Sequence, residues 1–437
     1  MAATAAMNGH SHDWGSDTTE LLRFATAGSV DDGKSTLIGR LLHDAKSILA
    51  DQLAHVKETS ERRGDGELNL ALLTDGLRAA REQGITIDVA YRSFQTDKRR
   101  FIIADCPGHE QYTRNMVTGA STADLSLVLV DARNGLVRQS RRHAAISGLL
   151  RTPHLVVCVN KMDLVDYDQS VFDAIVADFT AWSEPIAAFS EVTFIPISAL
   201  KGDNVVDPST TMPWYEGPTL LHHLETVEIA GDRNLDDWRF PVQWVVRPQN
   251  DERYHDYRGY AGQVAGGVLV PGEEVVVLPS GRTTKLAGID TIDGPLDAAF
   301  PPQSVTLLLE DDLDVSRGDL IARPSDAPTV ARELEAVVCW MTDAPLQPRG
   351  RYAIKHATRS VRGIVEGIDW RLNVETLERE VAEGGLSLNE IGHVRLRLSA
   401  PLAFDSYERN RDTGSFILID EATNDTVGAG LIVTPEG

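Results

Sequence analysis

Cysteine is nearly missing from this sequence. Cys106, Cys158 and Cys339 are the only three in 437 residues and no two stand in a CxxC spacing. That excludes a disulfide scaffold and a cysteine-built zinc site, and it fits the reducing cytoplasm. Long apolar runs are missing too: no stretch approaches the roughly eighteen residues that a membrane-crossing helix requires. Positive charge is in short supply, with 42 Lys and Arg against 65 Asp and Glu and a formal net charge of −23. A surface of that sign repels polyanions, which disfavours nucleic acid as a partner. Residues 1–18 are small and polar, without the basic lead and apolar core of a signal peptide, and are expected to form a disordered N-terminal segment. What remains is a chain with 42% hydrophobic residues, long enough for roughly two to four domains.

The stretch that organises this chain is Gly28-Ser29-Val30-Asp31-Asp32-Gly33-Lys34-Ser35, with Thr36 directly after it. It fits GxxxxGK[ST], and its setting is the required one: residues 24–27 read as the end of a buried strand and residues 36–42 as the first turns of a helix. In such a loop the backbone N–H groups and the helix N-terminus point at a polyphosphate. Lys34 neutralises the outer charge and Ser35 offers its hydroxyl to Mg²⁺. A nucleoside triphosphate is therefore the first candidate ligand.

Other polar motifs stand where further strands stop, which is where open α/β sheets bind ligands. Asp105-Cys106-Pro107-Gly108-His109-Glu110 follows the apolar run 101–104. A strand-end Asp at this place helps hold the Mg²⁺ shell in P-loop hydrolases, and Gly108 lets its N–H approach a terminal phosphate closely. Thr86, in Gly84-Ile85-Thr86-Ile87-Asp88, has a hydroxyl and a carbonyl suited to the remaining Mg²⁺ and γ-phosphate positions. If it binds only when the γ-phosphate is present, its loop is a switch. Asn160-Lys161-Met162-Asp163 follows the run 155–159 and matches NKxD. The Asp163 carboxylate can accept both guanine N1–H and the 2-amino group, and the Lys161 stem packs near the base. Ser198-Ala199-Leu200, after a strand expected over 192–197, suits the loop whose backbone meets guanine O6. Cys158, inside an apolar run, reads as a small buried hydrophobe.

The texture changes near residue 228. Before it, strands alternate with crossover helices such as 138–151 and 167–182, and a helix is also expected over 42–63. After it come short strands punctuated by Gly and Pro, including 240–246, 260–269, 274–278, 284–289 and 305–309. Beyond a second hinge at 323–328, strands are expected at 336–341, 351–355, 360–370, 392–398 and 415–420. The expected fold is an α/β P-loop domain with a mostly parallel, doubly wound sheet over residues 19–228. Two antiparallel β-barrel domains follow, over 236–325 and 331–437.

DCPGHE, GITID and NKMD together resemble the translational GTPase superfamily that includes elongation factor Tu. The resemblance implies GTP and Mg²⁺ as cofactors, with Mg²⁺ held by Ser35, Thr86 and Asp105. It also implies a catalytic role for His109, which would position the attacking water behind an apolar gate of Val30 and Ile85. Finer details resemble one branch, the regulatory GTPase subunit of bacterial ATP sulfurylase (sulfate adenylyltransferase). Ser29 and Asp32 stand where elongation factors have His, and Arg142 stands where they usually have Glu. Residues 214–221, 239–245, 258–262, 388–392 and 404–407 carry the same likeness. This branch implies a smaller catalytic subunit that binds ATP and sulfate and makes adenylyl sulfate and diphosphate, driven by GTP hydrolysis on this chain. Some relatives continue into an adenylylsulfate kinase domain; that activity is expected to be absent from this chain. Residues 249–257 are longer than the link expected before the RGYAG element and read as a surface insertion. Two other readings stay open, a specialised elongation factor carrying an aminoacyl-tRNA and a GTP-binding scaffold without a coupling role.

Overall fold

The apolar runs of the first half become strands buried on both faces. Residues 20–45, 70, 89–109, 113–186, 191–229, 234–248 and 257–434 are described by the structure, a computed structural model. The chain divides into two compact units, Met1–Val227 and Glu228–Gly437. Lead-in residues 1–18, Glu110, Ile85 and Thr86, and residues 46–63 of the expected first helix, lie outside the described residues. So do residues 249–256 of the expected insertion.

The described residues of the first unit hold six strands: β1 (Leu21–Gly28), β2 (Ala90–Gln95), β3 (Arg100–Asp105), β4 (Leu125–Asp131), β5 (His154–Asn160) and β6 (Glu191–Pro196). They form one sheet in the order β2-β3-β1-β4-β5-β6. All neighbours are parallel except β2 and β3, which pair antiparallel. Every residue of β4 and β5 is buried, as their unbroken apolar character requires. Between them run helices α1 (Lys34–Asp44), α2 (Thr113–Ala120), α3 (Arg138–Leu149) and α4 (Gln169–Ser183), and α5 (Leu220–Thr226) follows β6. Asp168 caps α4 through the Ser170 N–H at 2.8 Å, and Thr219 caps α5 through the His222 N–H at 3.3 Å. The buried Arg99 guanidinium donates to the carbonyls of Leu224 and Val227 at 3.0 and 2.7 Å, using two carbonyls at the end of α5 that the helix leaves open. β1 lies between β3 and β4, so the order reverses beside it and the carboxyl end of β1 is a switch point of the sheet.

The second unit is two antiparallel sheets. One contains β7 (Arg239–Val246), β8 (Gly259–Gln263), β9 (Glu274–Leu278), β10 (Arg282–Thr291), β11 (Gly294–Leu296), β12 (Ser304–Leu309) and β13 (Leu320–Ala322). The other contains β14 (Thr329–Trp340), β15 (Arg351–His356), β16 (Arg359–Leu372), β17 (Arg379–Glu380), β18 (Ile391–Phe404), β19 (Ser415–Ile419) and β20 (Thr426–Val433). The pairs β9–β10 and β15–β16 return each sheet on itself, so both chains of pairing close. Each encloses its own core, one around Trp238, Phe240, Tyr260 and Leu307, the other around Trp340, Ile354, Leu396 and Leu418. The strand expected over 260–269 stops at Gln263. Gly267 there has φ 73°, and a side chain on it would press within 2.6 Å of the Trp238 backbone, so the chain turns instead of extending.

Within this unit the two sheets are joined by a buried ion pair. Arg239 is 0% exposed; its Nε and Nη2 reach the two Asp405 oxygens at 2.7 and 2.8 Å, and its remaining donors go to the carbonyls of Trp238 and Asp326, each at 2.8 Å. The Thr413 hydroxyl adds a third bond to Asp405 at 2.6 Å. Arg409 repeats the link at the rim through Asp237, also at 2.6 Å. Removing one member of such a pair strands the other charge in a dry site. Arg239→Ala is expected to lower the unfolding free energy of the second unit by about 3–5 kcal/mol. Urea unfolding followed by tryptophan fluorescence checks this, and a loss under about 1 kcal/mol would contradict the buried-pair account.

Candidate functional site

The parallel strands β3, β1, β4, β5 and β6 end at one edge of the sheet, and the loop from β1 to α1 leaves that edge. The register sets Thr26 beside Asp105 and Asp131 beside Asn160, so the tips of β1, β3, β4 and β5 lie level. The loop turns tightly: Asp31 has φ 68° and Gly33 φ 95°, and a Cβ on Gly33 would run into the Asn160 amide. Lys34, 9% exposed, folds back over the loop and donates to the carbonyls of Gly28 and Ser29 at 2.8 and 2.9 Å. Burial lowers its pKa, and Asp32 and Asp105 oppose that shift. Val30 stands at the loop's lip, 39% exposed, while Ser35 and Thr36 are half-buried in the first turn of α1.

The loop is fastened from behind by side chains of other elements. Asn160 Nδ2 donates to the Asp32 carbonyl at 2.7 Å, and its Oδ1 accepts the Ala199 N–H at 2.9 Å. Lys161, itself left-handed at φ 66°, donates to the Asp31 carbonyl and to Asp131 Oδ2, the latter at 2.8 Å. Ser198 Oγ donates to Asp163 Oδ1 at 2.7 Å and accepts the Lys201 N–H at 3.2 Å. Leu200 is 45% exposed. The structure thus gathers Asn160, Lys161, Asp163, Ser198 and Ala199 beside the phosphate loop, as the motif order requires.

On the other flank Asp105 ends β3, 1% exposed, and its Oδ1 accepts the Thr26 hydroxyl at 3.3 Å. Gly108 presses against the phosphate loop so closely that a Cβ would lie 2.6 Å from the Gly28 carbonyl oxygen. His109 follows it, half-buried. Among the described residues no three His, Cys, Asp or Glu side chains converge as a metal cluster. One hydroxyl from Ser35 and one carboxylate from Asp105 is a sparse, hard-oxygen donor set, the kind that suits a Mg²⁺ keeping most of its sites for water and phosphate.

Three partners in this site carry no motif signal of their own. Arg40 on α1 donates to the carbonyls of Ala199 and Leu200, tying the loop after β6 to the helix that starts in the phosphate loop. Asp131, at the tip of β4, would be pushed up by burial, but hydrogen bonds from Arg133 and Lys161 outweigh that and hold its carboxyl below the usual range. His143, 0% exposed on α3, accepts the Gly28 N–H on Nδ1 at 3.0 Å. Its Nε2 lies 3.0 Å from the Gln139 side-chain amide. The Gln139-to-His143 stretch attracted notice only for Arg142, whereas the buried contact belongs to the residue after it.

Burial, with Lys34 and Arg142 adding to it, presses His143 down to about 3. Burial pushes Asp32 up to about 6, against the Ser29 hydrogen bond and the charge of Lys34. The two act on stability with opposite sign. As pH falls below 6.5 the unfolded chain protonates His143 while the folded chain refuses the proton down to about 3, so this group costs stability in acid. Asp32 takes its proton at about 6 when folded and only near 3.8 when unfolded, so across that window it adds stability as pH falls and loses it as pH rises. His143→Gln is therefore expected to lose less stability than the parent protein between pH 6.5 and 3.8. Urea midpoints across that range read the difference directly, and parallel curves would refute it.

The family model for the elongation factor Tu GTP binding domain matches residues 19–230, and that for the GTP-eEF1A C-terminal domain-like family matches residues 333–433. The bifunctional enzyme CysN/CysC of Mycobacterium tuberculosis (strain ATCC 25618 / H37Rv) is 59% identical over 416 residues, covering 95% of this chain and 67% of that protein. Sulfate adenylyltransferase subunit 1 of Laribacter hongkongensis is 52% identical over 423 residues, covering 96% of this chain and 86% of the other. The protein of the same name from Bacteroides thetaiotaomicron is 51% identical over 424 residues, with 95% and 86% covered. With a GTP-binding domain of the elongation factor Tu type and this degree of identity along nearly its whole length, the chain belongs to the sulfate adenylyltransferase subunit 1 family.

Proposed function

We propose that this chain binds and hydrolyses GTP and that hydrolysis drives the formation of adenylyl sulfate and diphosphate from ATP and sulfate on a smaller partner subunit. The observation that carries the reading is the pair of hydrogen bonds made by Asn160, which fixes the loop suited to phosphate and the loop suited to guanine with one side chain. Asp163, held by Ser198, has carboxylate oxygen left for the paired donors of guanine, and the Lys161 stem flanks the base. Gly28, Ser29, Val30, Asp31, Asp32, Gly33, Lys34, Ser35 and Thr36 form the phosphate site, with Gly108 beside it. Ser35 and Asp105 would hold Mg²⁺, with Thr86 completing the set; when bound, the ion would offset charge on the outer phosphates. Lys34 and the loop amides stabilise charge that develops on those phosphates, and His109 orients the attacking water. Relatives bearing the name "subunit 1" support a multi-subunit enzyme. No described helix is long and apolar enough to cross a membrane.

The test is adenylyl sulfate formation by this chain reconstituted with the smaller subunit, measured with and without GTP. GTP is expected to increase product formation, and GDP is not. His109→Ala is expected to leave GTP affinity nearly unchanged while slowing GTP hydrolysis about a hundredfold or more and abolishing the GTP-dependent gain. Undiminished hydrolysis in that variant would remove His109 from the mechanism, and a product yield indifferent to GTP would remove the coupling.

A further inference from the structure

An acidic residue in a loop built to receive a polyanion is an electrostatic liability, and Asp32 is such a residue. Its carboxylate does not face the open side of the loop. The residue is 4% exposed, and its Oδ2 lies beneath the arch, 2.6 Å from the Ser29 N–H that it accepts. The same oxygen is so near Gly28 that a Cβ there would lie 3.3 Å from it, with Leu129 of β4 on the other side at 3.1 Å. The Asp32 N–H returns to the Ser29 carbonyl at 3.3 Å, so the two residues bond each other in both directions and close the turn between them. Asp32 sits between two left-handed residues, Asp31 at φ 68° and Gly33 at φ 95°, where the backbone has most need of outside support. Its own carbonyl is held by Asn160. The charged groups that face the carboxylate are Lys34 from α1, Asp131 from the tip of β4 and Lys161 after β5.

The amide ahead of it is treated alike, since the Gly28 N–H is taken from behind by His143. Both amides that open the loop are thus committed to buried side chains. The amides that remain for phosphate are among those that follow them toward α1, with that of Asp32 already turned to the Ser29 carbonyl.

We infer that Asp32 is a positioning residue: its buried carboxylate holds the Ser29 amide and so fixes the arch that presents the following amides to the nucleotide's phosphates. This deepens the reading of the loop as a guanine-nucleotide site and rests on it. The residue contributes as a hydrogen-bond acceptor aimed at the loop's own backbone, not as a contact of the ligand. An acceptor of the same shape without charge therefore preserves the function, whereas loss or displacement of the acceptor does not.

Binding of a fluorescent GDP and a fluorescent GTP analogue to the full chain tests this with Asp32→Ala, Asp32→Asn and Asp32→Glu. Asp32→Ala is expected to weaken both nucleotides by about tenfold or more, the size of a lost charge-assisted hydrogen bond. Asp32→Asn is expected to recover most of that loss, because an amide oxygen still meets the Ser29 N–H. If the Ala variant fails to fold, Asp32→Glu carries the same test: its extra methylene displaces the carboxylate from the 2.6 Å contact, so it too is expected to bind weakly. Amide hydrogen exchange at Ser29 in the nucleotide-free protein gives a second reading, with protection expected in the parent and Asn forms and lost in the Ala or Glu form. The proposal is overturned if the Ala and Glu variants bind like the parent, if Asn is as weak as Ala, or if Ser29 exchanges equally in all. A parent protein that binds neither nucleotide would instead defeat the nucleotide-site reading, while the exchange data would still decide whether Asp32 holds the loop.

Discussion

One primary amide sets the dimensions of the candidate nucleotide site. Asn160 gives a hydrogen to the Asp32 carbonyl and takes one from the Ala199 N–H, so a single short side chain measures the gap between the phosphate loop and the loop after β6. Both bonds are buried, where an unmade partner costs on the order of 1–3 kcal/mol. Gly33 has to lack a Cβ because this amide occupies the space. Asp163, Ser198 and Arg40 are then placed relative to that bridge: Ser198 holds Asp163, and Arg40 anchors the carbonyls of Ala199 and Leu200 to α1. If Asn160 moved, the groups suited to the base and those suited to the phosphates would no longer be spaced for one molecule.

Around that bridge the charges are arranged in depth. Lys34 is buried against carbonyl oxygens, and Asp131 is kept ionised between Lys161 and Arg133. Asp32 and His143 sit deeper, one a carboxyl that resists ionisation and the other an imidazole that resists protonation. Both are pushed toward their neutral forms by the same cause, removal from water.

Much of this was legible in the sequence because the signals were local. The GxxxxGK[ST] loop, the strand-end Asp105, the NKMD run and the strands between them are contiguous, and the parallel sheet followed from runs too apolar to face water. The support from behind was not legible, because it is made by residues distant in the chain. His143 meets Gly28 across 115 positions and Arg40 meets Ala199 across 159. In the second unit the obstacle was glycine. Gly428 and Gly430 in Thr426–Val433 suppress a strand pattern, yet a side chain on Gly430 would collide with the Phe416 ring, so β20 needs glycine to pack. The three buried residues of β13 are too few to show any alternation.

The closing pairs β9–β10 and β15–β16 also bear on life before assembly. An open sheet presents a row of unsatisfied N–H and C=O groups that another chain can extend, and it is a common start of aggregation. Among the described residues of the second unit, closure leaves the three-residue β11 and the two-residue β17 as appended strands outside the rings. A copy of this unit waiting for other components offers, among its described residues, no long strand edge on which a neighbour could template itself.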